Sequence, residues 1–95
     1  MKILKLAVKK EYFDLIKLGE KKEEYREIKK YWSKRLTNYY DEVWITLGYP
    51  KINEKEKIIK FNYRGFTIKK VKHKEFGKDK INVYAIKLID KIIEK

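Results

Sequence analysis

The sequence predicts a single α+β domain in which one main helix and a short second helix flank a curved or closed sheet of five to six strands. Three observations carry this. Apolar residues alternate with polar ones in several short segments separated by turn residues, as strands require. One segment, 9–18, changes to a helical period. The 95 residues are 43% hydrophobic and include 8 Tyr, 4 Phe and 2 Trp. That is enough side chain for one core and too little chain for two, so residues 1–95 form one domain.

Residues 2–8 read as a strand with Leu4, Leu6 and Val8 on one face. In 9–18, Tyr12, Leu15 and Ile16 fall at i, i+3 and i+4, which predicts a helix turning them inward, and Gly19 stands where a left-handed residue would end it. Residues 21–28 return to an extended pattern, and Tyr31 to Leu36 read as a short helix or turn carrying Trp32. Val43, Ile45 and Leu47 share a face of a strand that Gly48-Tyr49-Pro50 ends, since proline cannot donate to a ladder. Ile59, Phe61 and Tyr63 form the next inward face. Arg64-Gly65 turns the chain, and Phe66 to Val71 return as a hairpin. The spacing of Phe66, Ile68 and Val71 breaks alternation and predicts a bulge near Lys69–Lys70. A last strand, 81–88, offers Tyr84, Ile86 and Leu88 on one face.

Composition narrows the chemistry. The chain has no cysteine and one histidine, so a disulfide framework, a thiol nucleophile and a protein-only transition-metal site are not expected. No metal and no cofactor is predicted. No apolar run reaches the length of a membrane span and the start lacks a signal-peptide core, so a soluble, cytoplasmic chain without a membrane partner is expected. The net charge is +12. Its excess concentrates in residues 57–88, where ten Lys and Arg stand against Glu75 and Asp79. A field of that sign concentrates phosphate-bearing partners. Lysines also keep a small protein soluble, so both readings stand.

Between the predicted helix and second strand the chain reads Gly19-Glu20-Lys21-Lys22-Glu23-Glu24-Tyr25-Arg26. This resembles the G-x-K-x-x-E-x-R signature of the ASCH domain family, in the PUA-like superfamily. The segments Tyr31-Trp32, Asp41-Glu42-Val43, Leu47-Gly48-Tyr49-Pro50, Tyr63-Arg64-Gly65, Phe76-Gly77 and Val83 to Leu88 also resemble small bacterial and phage ASCH proteins, so the likeness spans about residues 2–88. The resemblance implies a PUA-like fold, a small β-barrel with flanking helices, and a cleft for RNA or a modified nucleoside. Relatives include hydrolases of N4-acetylcytidine and proteins described as ribonucleases. The deacetylating branch carries threonine where this chain has Glu24, and no motif places that branch's catalytic glutamate here, Glu75 and Glu54 being merely available.

On a regular strand Glu24 and Arg26 share a face and Lys21 does not; Lys21 joins them only if residues 21–22 lie in the turn before the strand. Together the three would hold a ligand. Arg26 offers a planar fork to a phosphate or carbonyl. Glu24 accepts from the exocyclic N–H groups of a base or acts as a general base if burial raises its pKa. Lys21, if desolvated, serves as nucleophile or proton donor. A surface ion-pair cluster is the bland alternative. Tyr31 and Trp32 are candidate stacking platforms for a base, or rim packing. Tyr49 beside Pro50 lines the same mouth or staples a turn. Lys34, Arg35, Lys69, Lys70, Lys72 and Lys74 are candidate phosphate contacts, with His73 a contributor to that patch; an edge strand guarded by lysines explains the same run. Three functions follow: a module binding RNA or a nucleoside, a hydrolase acting on RNA or a modified cytidine with Lys21 and Glu24 catalytic, or a phage or host protein-interaction module.

Overall fold

A computed structural model describes residues 1–93. Six strands and two helices follow in the order β1 (Ile3–Val8), α1 (Lys10–Lys17), β2 (Glu23–Glu27), α2 (Lys30–Leu36), β3 (Glu42–Leu47), β4 (Ile58–Asn62), β5 (Phe66–Val71) and β6 (Ile81–Lys87). The strands form two three-stranded sheets, ordered β1-β3-β4 and β2-β6-β5, not a closed barrel.

The first sheet follows from alternation. β1 pairs parallel with β3 and β4 antiparallel with β3, so Leu4, Val43 and Phe61 stand in one row and Leu6, Ile45 and Ile59 in the next. These six side chains are buried and join Phe13, Ile16, Leu36, Ile86 and Leu88 in one core. On the outer face Trp44 donates from Nε1 to Glu42 Oε1 at 2.7 Å, and Lys5 and Lys60 place ammonium groups 5.4 and 4.3 Å from its ring centre.

α1 buries Phe13 and Ile16 and only half-buries Tyr12, while Leu15 is 38% exposed. The expected inward Leu15 is thus corrected. At about 100° per residue it lies about 130° from the mid-line of Phe13 and Ile16, whereas Tyr12 sits at the margin. Gly19, at φ +79°, ends the helix as expected, its N–H bonding Ile16 O at 3.0 Å and that of Glu20 bonding Leu15 O at 3.0 Å.

β4 and β5 do not form the expected hairpin. β4 pairs with β3, β5 pairs with β6, and Gly65, at φ +81°, turns the chain from one sheet to the other. The physical reason is that Ile59, Phe61 and Tyr63 are buried whereas Thr67 to Lys70 are exposed, so the two segments belong to different environments. No bulge interrupts β5: its register with β6 runs unbroken from Phe66↔Ile86 to Val71↔Ile81. Alternation fails there because β5 is an edge strand open to solvent.

β6 is central in its sheet and buries both faces, Ile86 on one and Val83 and Ala85 on the other, with Leu88 just beyond. Tyr84 is only half-buried, its hydroxyl 2.6 Å from Ser33 Oγ. Beyond β6 the chain runs beside β4: Asn62 N–H bonds Asp90 O at 2.8 Å and Ile92 N–H bonds Lys60 O at 2.9 Å. Main-chain bonds therefore join the sheets on this side. Ile86→Ala, which empties a fully buried position in this central strand, is expected to cost about 2–5 kcal/mol in urea denaturation. No helix among the described residues is long and apolar enough to cross a membrane.

Candidate functional site

On the opposite side no ladder among the described residues joins the sheets, because β1 and β2 are both edge strands. A cleft of about 310 Å³ opens at this seam, between Ala7 and Val8 of β1 and Glu24 to Glu27 of β2. Tyr12 from α1, Trp32 from α2 and Phe76 from the 3-10 turn Lys74–Phe76 complete its walls.

The residues of the sequence motif converge there. Lys21 lies before β2 begins, in the turn that Gly19 opens, and so its side chain can reach the face that Glu24 and Arg26 share. Arg26 Nη2 donates to Glu24 Oε2 at 2.7 Å and to Ala7 O at 3.0 Å, so the guanidinium bridges the two edge strands where a ladder is missing. Lys21 Nζ stands 3.7 Å from Glu24 Oε1, an ion pair longer than a hydrogen bond. Its ammonium also lies 4.5 Å from the ring centre of Tyr25 and 5.6 Å from that of Tyr12.

Glu24 is only 8% exposed. Burial raises its carboxyl above the ordinary carboxylate range, and the Arg26 and Lys21 charges oppose that rise without cancelling it. Burial likewise pushes up the Tyr12 and Tyr25 phenols, with Glu11 and Glu75 adding to the first and Glu23 to the second. Arg26 Nε in the walls is shielded from water and has no hydrogen-bond partner among the described residues, and the shielded Tyr12 hydroxyl faces the Glu75 carboxylate. The oxygens of Glu75 also accept from Lys9 Nζ at 2.8 and 3.2 Å. An orphaned buried donor such as Arg26 Nε is uncommon in a folded protein.

Of the proposed stacking residues, Trp32 lines the cleft, with the Arg26 and Arg35 guanidiniums 4.9 and 5.2 Å from its ring centre. Tyr31 does not. It is 61% exposed on α2, edge-on to Trp32 and accepting from Arg35 Nη1 at 3.2 Å. His73 serves as a wall: its ring packs against Tyr12, Tyr25 and Phe76, and its Nδ1 accepts from Glu75 N–H at 3.2 Å. Tyr49 is 96% exposed and lines a different cavity, with Trp44 and Pro50.

The candidate phosphate contacts are divided. Lys69 bonds Glu23 at 2.8 Å across its sheet, and Lys70 faces the other way on β5. Lys74 bonds Glu11 at 2.9 Å, Arg35 stands against Trp32 and Tyr31, and Lys34 and Lys72 are exposed. These six do not line one track.

Sequence reasoning missed Ala7, Tyr12, Tyr25 and Phe76 as wall residues; of the two available glutamates, Glu75 lies in the wall and Glu54 pairs with Lys57 elsewhere. Tyr12 carried a signal, its place at the margin of the helix stripe; the Lys9–Glu75 contact spans 66 residues and had none. Among the described residues no three acidic or histidine side chains are grouped as a metal ion would require. No family model, no curated protein and no solved structure matches the chain.

Proposed function

We propose that the cleft binds the base of a nucleoside or of an RNA strand, the function that the resemblance to ASCH domains implies. The observation that carries this reading is the Lys21–Glu24–Arg26 cluster in the wall of a cleft that Tyr12, Tyr25, Trp32 and Phe76 also line. A nucleobase is planar and carries acceptors and donors along its edges. Aromatic side chains and Arg planes take its faces, while fixed polar groups read its edge. Here Trp32, Tyr25 and Phe76 supply the first and Arg26, Tyr12 and Glu24 the second.

A hydrolytic reading is favoured by one observation of its own. A carboxyl whose pKa burial raises lies 3.7 Å from the Lys21 ammonium, which sets a general base beside a fixed positive charge. Lys21 and Glu24 would then act on RNA or on an acylated cytidine.

A panel of nucleosides and short RNAs decides between these readings. Binding is followed by Trp32 fluorescence in a Trp44→Phe protein, and the same mixtures are analysed by mass spectrometry. The expected result is a fluorescence change with one class of base, abolished by Arg26→Ala. A new product that disappears in Lys21→Ala establishes the hydrolase. A panel in which nothing perturbs Trp32 sinks the reading.

A further inference from the structure

We infer that the base in the cleft belongs to a single nucleic-acid strand whose sugar–phosphate backbone leaves along a groove beside Lys22, Lys69 and Lys87; this rests on the base-binding reading of the cleft. A groove of about 610 Å³ adjoins the cleft, and the two cavities share the wall made by Tyr12, Lys21, Tyr25 and His73. Beyond that wall the groove adds Lys22, Lys69 and Lys87, with Glu20 and Glu23, around Leu15 and Ile89. A further groove of about 320 Å³ continues from Lys21, Lys22 and Ile89 and adds Lys17 and Lys91.

The chemistry of this path is that of a polyanion contact. Six lysines border it against Glu20 and Glu23. Among the described residues, Lys17, Lys22, Lys87 and Lys91 form no ion pair. Lys69 holds Glu23, but its side chain is 46% exposed, and so exposed a pair exchanges for a phosphate at little cost. The excess of cations argues against a second copy of this chain, which would set lysine against lysine. Leu15 and Ile89, 38% and 62% exposed, offer apolar surface to sugars between the phosphates. Continuity with the cleft favours a nucleic-acid strand over an acidic polypeptide, because only the strand carries a base for one cavity and phosphates for the next.

The test compares an uncharged nucleoside with a short single strand carrying the same base, in RNA and DNA forms, over a series of salt concentrations. Two to three phosphates in the groove give a log–log salt slope of about −1.5 to −2 for the strand, at about −0.7 each. Lys22→Ala/Lys87→Ala is expected to reduce that slope by about 1.4 and to leave nucleoside affinity unchanged. Lys34→Ala/Lys70→Ala, on α2 and on the other face of β5, is expected to change neither. Should the strand bind no better than the nucleoside, or the control pair lower the slope equally, the path is wrong while the cleft stands. Polyglutamate binding with the same slope and the same sensitivity to Lys22→Ala/Lys87→Ala overturns the choice of a nucleic acid. A nucleoside that fails to bind condemns the cleft reading itself, and a strand that still binds then overturns the continuity on which the path depends.

Discussion

Arg26→Ala is expected to destabilise the protein by about 3 kcal/mol at neutral pH, because it strands a buried carboxylate. Arg26 is the only group that hydrogen-bonds the Glu24 side chain among the described residues, and it also satisfies Ala7 O at the open edge of β1. Losing it leaves Glu24 with the looser Lys21 contact at 3.7 Å. In a domain of this size the melting temperature should fall by about 12–24 °C. The loss should depend on pH with a defined sign. Glu24 has a folded pKa above its ordinary 4.5, so the native state binds that proton more tightly than the unfolded state does. Stability therefore declines as pH rises from about the unfolded value through the raised folded one, and is level above it. Removing Arg26 takes away the charge that most strongly opposes the rise, so the window extends upward. The deficit of Arg26→Ala relative to wild type should be largest above that window and smallest near pH 4.5. Urea denaturation at several pH values reads this directly. Glu24→Gln/Arg26→Ala should lose less than the two single changes summed, since the Glu24–Arg26 interaction can be lost only once. A deficit independent of pH, or simple additivity, would mean that the pair is not coupled.

If the cleft binds a base as proposed, Trp32→Ala is expected to weaken that binding by about 5- to 150-fold, the range of one lost stacking contact of about 1–3 kcal/mol. Its ring lines the cleft and stands against Arg26, so the substitution removes a wall surface and frees the guanidinium that rests on it. Trp32 also packs on the core, and the alanine variant will lose stability as well. Trp32→Phe separates the two effects: it keeps a ring and the fold, and is expected to retain most of the affinity. Calorimetric titration of both variants, each confirmed folded by circular dichroism, supplies the comparison. Equal affinity of wild type and a folded Trp32→Ala protein would place the base elsewhere.

The local pattern of this chain was legible wherever one physical rule acted alone. Alternation marked β1, β3 and β4, whose inner rows are Leu4–Val43–Phe61 and Leu6–Ile45–Ile59. Gly19 marked the end of α1, where a positive φ is required. The spacing of Lys21, Glu24 and Arg26 was readable as a possible pocket, because two residues apart on a strand share a face and a preceding turn frees the third.

What the residues alone could not decide is which edges meet. Pairing in a sheet is non-local, and a turn such as Arg64-Gly65 is equally compatible with a hairpin and with a crossing between sheets. Burial decided it: Ile59 and Phe61 needed the core that β3 offered, while the exposed run from Thr67 to Lys70 suited an edge beside β6. The same assembly left β1 and β2 without a ladder and set Arg26 across the gap to Ala7, nineteen residues away. The motif residues were therefore specified locally. The cleft that gives them a shared environment, and the burial that raises the Glu24 pKa, exist only because two edge strands failed to pair.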